Sequence, residues 1–212
     1  MPSPTRRRNL RGHGALLRDE ILSAAVRVID QADTEAEVSL RRIAREAGIA
    51  APSVYAHFDD RDRVLEAVAE SSWVQVSQEI AEQVQSASDP RQRLLIGCRV
   101  YVAFAQRHPL RYALMTQASH TPPAARQALD VVTRGLLACR VGIAPLPAES
   151  LDAPADAVSA RIAAALSVAL HGVAMLHRTD APNLWLSDFS TDQVIQTMVD
   201  AAILQLANPE PT

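Results

Sequence analysis

Residues 48–58 read GIAAPSVYAHF, and the reading of this stretch decides the fold. SLRRIAREA (39–47) precedes it and DDRDRVLEAVAE (59–70) follows it. Gly48 stands where a helix needs a left-handed residue to stop. Pro52 suits the first turn of the next helix, where its missing N–H costs nothing. Upstream, Ser39 is a good N-cap, and Leu40, Ile43, Ala44 and Ala47 recur on one helical face. Downstream, Phe58 and the acids of DDRD mark a break. Asp59 or Asp60 then caps a long helix through Val64, Leu65, Val68, Trp73 and Val76 to about Gln85. The stretch predicts two short helices joined by a tight glycine turn. Val54 and Phe58 supply the core face of the second, which leaves Tyr55 and His57 on its wet side. That helix contains no Arg, Asn or Gln.

Outward from this unit, the chain reads as helix after helix. Leu17, Ile21, Ala24, Ala25 and Val28 predict a first helix over about Ala15–Gln31, and the polar DTEAEV (33–38) ends it. SASDPRQR (86–93) reads as a loop and a hinge. Amphipathic helices are expected over Leu94–Arg107, Leu110–Gln117 and Ala124–Val141, then over about 157–177 and 191–206. PLPAESLDAPAD (145–156) and TDAPNLWLSDFS (179–190) read as connections. No repeat and no convincing strand appears. The expectation is an all-α chain of about nine helices: a basic arm over 1–14, a three-helix helix-turn-helix domain over 15–66 and a helical domain over 67–212.

The chain has 212 residues, 48% of them hydrophobic, and a formal net charge of -3. That is ample apolar mass for a core. All 21 basic side chains are Arg, and residues 1–58 hold nine of them against seven acids. The remainder carries twelve Arg against seventeen acids, so a polyanion-binding head sits on an acidic body. The best apolar run, IAAALSVAL (162–170), falls short of the ~18 residues of a membrane helix, so no membrane span is expected. MPSPTRRRNLRGHG is basic without an apolar segment behind it, unlike a secretory signal. Cys98 and Cys139 make no disulfide framework, and a cytoplasmic setting follows.

The proportions of SLRRIAREAGIAAPSVYAHF are those of a helix-turn-helix unit. With the Ser39 cap, Ile43-Ala44, Gly48, Ser53-Val54-Tyr55, His57-Phe58 and Arg61, residues 15–70 resemble the TetR family of bacterial transcriptional repressors. FAQRHPLRYALM (104–115) and LHGVAML (170–176) resemble an HP…Y element and a His-Gly motif of one type of C-terminal domain in that family. The resemblance implies a homodimer joined through its last two helices and a double-stranded DNA partner, the palindromic operator. It also implies a small-molecule effector that releases the repressor.

Residue by residue, the resemblance places Tyr55 and His57 on phosphates, which fix register without reading sequence. The alternative for Tyr55 is packing on the fourth helix. Arg61 clamps backbone at a helix N-terminus, or pairs with Asp59 or Asp60. Ser39 is both cap and phosphate neighbour. Arg41 reaches a base, in the manner of Arg on guanine. Arg42 and Arg45 are solvated or phosphate-facing. Ala50 replaces a capping Ser or Thr, at a cost of about 1 kcal/mol. Ala51 replaces a long polar reader, so Ala51 and Pro52 offer apolar contact, best matched by a thymine methyl, and Ser53 offers one hydroxyl. The arm TRRRNLRGHG lies in an A·T-rich minor groove or is a solvated tail.

In the body, Trp73, Tyr101, Phe104, His108, Tyr112, Met115 and His171 are the candidate lining of an effector site. Such a site suits a hydrophobic or amphipathic molecule. At helical spacing these residues serve equally as core. His108, His120, His171 and His177 show no i,i+4 pairing with each other, so no metal is expected. Neither is a cofactor or an enzymatic activity, since no phosphate loop or nucleophile–base pairing is present. A different class remains open: a helical small-molecule-binding or scaffold protein whose head has lost specific DNA binding.

Overall fold

Gly48 has φ +65°, the left-handed conformation that a Cβ disfavours. It lets the Ile49 N–H reach back to the Ala44 carbonyl at 3.0 Å, closing one helix as the chain leaves for the next. The computed structural model describes residues 14–117, 122–141, 157–176 and 189–207. The arm, His120, His177, the 145–156 connection and most of the 179–190 connection lie outside them. All described regular structure is helical: α1 (Gly14–Asp30), α2 (Leu40–Glu46), α3 (Ala51–Tyr55), α4 (Arg61–Gln83), α5 (Pro90–Arg107), α6 (Pro109–Thr116), α7 (Pro123–Val141), α8 (Ala157–Leu176) and α9 (Thr191–Ala207). Short 3₁₀ turns occupy Glu35–Glu37 and Val84–Ser86.

The chain divides into two units at Ala69/Glu70, inside α4. In the first unit, the Ser39 hydroxyl accepts from the Arg42 N–H at 3.2 Å and starts α2. Asp60 does the same for the Arg63 N–H at 2.8 Å and starts α4. Ala50 supplies no side-chain cap, and α3 begins on Pro52 in its first turn instead. The buried side chains are those the spacing selects: Ile21, Ala24, Ala25 and Val28 from α1, Leu40, Ile43 and Ala44 from α2, Val54 and Phe58, then Val64, Leu65 and Val68. Burial of each larger aliphatic group stabilises by roughly 1.5–3 kcal/mol relative to exposure.

The second unit corrects one expectation. Residues 86–93 do not form a loop: they hold the end of a 3₁₀ turn and the first turn of α5. They also lie within the second unit rather than between two units. Asp89 accepts from the Gln92 N–H at 2.9 Å and Pro90 follows at the first helical position. Asp-Pro reads as a loop by composition, yet the pair is also an N-cap followed by a residue already set to helical φ. The main core joins Leu94, Leu95 and Cys98 of α5 and Leu136 of α7 to the inner faces of α8 and α9, among them Ile162, Leu166, Ile195 and Val199. Arg91 pairs with Asp200 at 2.6 Å and Arg99 with Asp192, so α9 runs antiparallel to α5. By length and composition α8 is long and apolar enough to cross a membrane, beyond the nine-residue run expected. Ala, Ser and Gly among its larger residues extend the apolar length, and one of its faces is packed in the core just described.

Candidate functional site

In the first unit, α2 and α3 present two kinds of polar surface. Tyr55 is 56% exposed at the end of α3, so its ring is not consumed by packing. His57, two residues on, is half-buried, while Val54 before them and Phe58 after them are inside. Ala50 and Pro52 are exposed, and Ala51 and Ser53 half-exposed, which makes the outer face of α3 small and nearly featureless apart from Tyr55. Ser39 and Arg41 are exposed at the start of α2.

The arginines of this unit differ in what they hold. Arg18 lies 4.8 Å over the Phe58 ring. Arg27 donates to Glu46 at 2.6 Å. Arg42 stands 3.7 Å from the Glu37 carboxylate. Arg61 donates to the Val38 carbonyl at 2.8 Å, to the Glu35 carbonyl, and to the Glu35 carboxylate at 3.0 Å. The acid that Arg61 holds most tightly thus comes from the 34–38 turn, 26 residues upstream, a pairing that local spacing does not reveal. Its nearest approach to an adjacent acid is 3.7 Å, to Asp62.

In the second unit the aromatic residues form one connected set. Trp73 stacks on Tyr101 with centroids 6.2 Å apart, and its indole N–H donates to the Met115 carbonyl at 3.4 Å. The Tyr101 and Tyr112 hydroxyls are 3.0 Å apart, and the Tyr112 hydroxyl is 2.7 Å from His171 Nδ1. A continuous hydrogen-bonded path therefore runs from α5 through α6 to α8. Burial comes first in pushing the Tyr101 phenol above its ordinary pKa, partly countered by the bond to Tyr112. Phe104 and His108 pack at 5.0 Å. Phe104, Tyr112 and Met115 are buried, and Tyr101, His108 and His171 half-buried.

Sequence reasoning missed Arg111, which lies inside this region at 2% exposure. Its guanidinium donates to the Ser72 hydroxyl at 3.0 Å and to Gln75, and sits 5.1 Å over the Phe104 ring. A charged residue in an amphipathic pattern is taken for the wet face, so only its neighbours reveal it. No group of His, Cys, Asp and Glu among the described residues is arranged to hold a metal ion. Burial pushes the Cys98 thiol up to about 12 and the Cys139 thiol to about 11, away from thiolate chemistry at neutral pH.

Known proteins resemble the chain at three levels. A Rhodococcus sp. RHA1 protein of unknown function superposes with a TM-score of 0.68 at 27% identity, covering 94% of this chain and 100% of that one. A TetR-family transcriptional regulator from Streptomyces coelicolor has the same fold, with a TM-score of 0.62 at 18% identity over 90% of this chain and 99% of that chain. The nucleoid occlusion factor SlmA of Aliivibrio fischeri is 23% identical over 99 residues, 47% of this chain and 50% of its own length. The chain thus spans about half the length of the curated relatives it matches. Residues 21–68 match the model of bacterial regulatory proteins of the tetR family, and residues 94–202 that of the tetracyclin repressor-like C-terminal domain. With helix-turn-helix head and helical body both matched, the chain belongs to the TetR family of DNA-binding transcriptional regulators.

Proposed function

We propose that the regulator is a homodimeric repressor in the bacterial cytoplasm that leaves a palindromic operator when a small hydrophobic or amphipathic effector binds its body. The observation that carries the DNA-binding roles is the exposed Tyr55 hydroxyl beside a half-buried His57, on a helix whose other outer residues are Ala50, Ala51, Pro52 and Ser53. Tyr55 and His57 anchor phosphates, and Ser39 adds a hydroxyl. Arg41 reads a base, and Ala51, Pro52 and Ser53 supply apolar fit and one hydrogen bond. Arg42 and Arg61 belong to the same surface, but both face acids of the 34–38 turn in the free chain.

The effector reading is supported by the aromatic set of Trp73, Tyr101, Phe104, His108, Tyr112, Met115 and His171, which gives a mostly apolar environment with few polar anchors. The dimer reading is supported by α8. Its outer face carries Ala164, Ala165, Val168, Ala169, Gly172 and Met175, all exposed in the single chain, with Val168 at 71%. On α9, Ala201 and Leu204 are exposed likewise. Two-fold pairing of such faces would set half-sites about 34–36 Å apart.

Selection of bound duplexes from a random pool tests the reading. An enriched palindrome with half-sites one helical turn apart, lost on addition of an effector, is the expected result. Enrichment of nothing at moderate salt would transfer the chain to the other class, a small-molecule-binding protein without a specific DNA site.

A further inference from the structure

The turn Thr34–Val38 is built around two acids with fixed roles. The Thr34 backbone N–H and hydroxyl both lie 3.2 Å from Glu37 Oε1, so the carboxylate is held in place by the turn it belongs to. Its other oxygen, Oε2, faces Arg42 at 3.7 Å. Glu35 and the Val38 carbonyl meanwhile take the Arg61 guanidinium. Three more arginines of the first unit hold partners: Arg18 a ring, Arg27 Glu46 and Arg63 Glu66. Arg41 and Arg45 differ. Both are exposed, and neither side chain has an ion pair or hydrogen bond among the described residues. They lie four apart on α2, so they share one side of the helix.

We propose that the 34–38 turn is a charge clip that withholds Arg42 and Arg61 from the DNA backbone, and that Arg41 and Arg45 are the pair that neutralises phosphate. This rests on the DNA-binding role of the head but changes which arginines perform it. Arg41 takes part in the electrostatic footprint whether or not it also touches a base. Exposed ion pairs are weak, so the pairing with Glu37 is not itself a strong lock. The geometry around it is what matters. For Arg42 to swing to a phosphate, Glu37 would stay behind, pinned by Thr34 and facing a polyanion. For Arg61, leaving would also break two bonds to carbonyls. DNA therefore meets these two arginines as neutral pairs, whereas Arg41 and Arg45 meet it as full charges.

The slope of log K against log salt counts neutralised phosphates, at about 0.9 per contact on B-DNA. The full-length protein is titrated at several salt concentrations with a random-sequence duplex and, separately, with any palindrome the selection yields. Arg41→Gln and Arg45→Gln are each expected to flatten the slope by about 0.9, and Arg42→Gln and Arg61→Gln to leave it in place. Glu37→Gln is expected to steepen it by a similar amount and Glu37→Gln with Arg42→Gln to restore it. Asp19→Asn, which removes an exposed acid of the same unit, serves as the control for net charge. A slope unmoved by Arg45→Gln, or flattened equally by Arg42→Gln, overturns the proposal, as does a Glu37→Gln slope equal to that of Asp19→Asn. Absence of a selected palindrome defeats the operator reading alone, since the random duplex still reports the slope.

Discussion

Tyr55 and Tyr112 are the same residue type put to opposite uses. Tyr55 is exposed and Tyr112 fully buried, so one hydroxyl is free for a partner molecule and the other is built into the body. Tyr55→Phe and His57→Ala are expected to weaken binding to all duplexes about equally, because phosphate contacts carry no sequence information. Competition among operator variants measures this, and a changed base preference would remove both from the phosphate role. Arg41→Ala should instead relax discrimination at one base pair by about 1–3 kcal/mol if it reads a base. Tyr112→Phe deletes the hydroxyl between Tyr101 and His171 and leaves both without that partner. A loss of about 1–3 kcal/mol in urea unfolding is expected. Unchanged stability would mean that water replaces the hydroxyl.

At the scale of elements, the glycine turn and the α5–α9 clamp make the sharpest claims. A Cβ on Gly48 meets nothing within 4 Å, so Gly48→Ala carries no steric clash and tests conformation alone. The left-handed φ should cost about 1–2 kcal/mol, seen as a lower midpoint in thermal unfolding. A neutral result would show that the turn can reach its position at negative φ. In the clamp, the hydrogen bond from Arg99 holds the Asp192 carboxyl below the usual carboxylate range, and that from Arg91 does the same for Asp200. A depressed pKa in the fold means that the stabilisation is present above the unfolded value near 4 and is lost as pH falls through the lower folded value. The pairs are largely exposed, so the effect is small and screened by salt. Asp192→Asn with Asp200→Asn should lower the melting temperature slightly at pH 7 and low salt. That difference should begin to shrink as pH falls below about 4 and be gone once both carboxyls are protonated in the fold; a difference that does not shrink with falling pH would assign the loss to packing.

For the molecule as a whole, the proposed dimer is the feature most open to a single substitution. Val168 is the most exposed large hydrophobic residue described, on a face of α8 that otherwise carries alanines, Gly172 and Met175. Val168→Glu should leave the chain folded and helical, since the opposite face of α8 supplies the core. Two copies would instead bring like charges together at a desolvated surface. Analytical ultracentrifugation should then show monomers, with specific DNA affinity falling in parallel. A variant that remains dimeric would place the interface elsewhere.

The sequence by itself determined that the chain is built of helices and how α2 and α3 begin and end. Ser39, Gly48 and Pro52 act through their own backbone geometry within a few residues, and the 3.6-residue spacing of Ile43, Ala44, Val54 and Phe58 marks what must be inside. The start of α5 was hidden because Asp89-Pro90 satisfies a loop and a helix N-terminus equally well until the following turn is seen. Tertiary structure alone decided which partners distant side chains take. DTEAEV reads as a polar break after the first helix, and only folding brings Glu35 to Arg61 across 26 residues and sets Glu37 against Arg42. The same holds for the path from Tyr101 through Tyr112 to His171, which spans three helices. Helical spacing fixes a side chain's face, whereas its neighbour is fixed by how helices pack, and charge or hydroxyl chemistry depends on the neighbour.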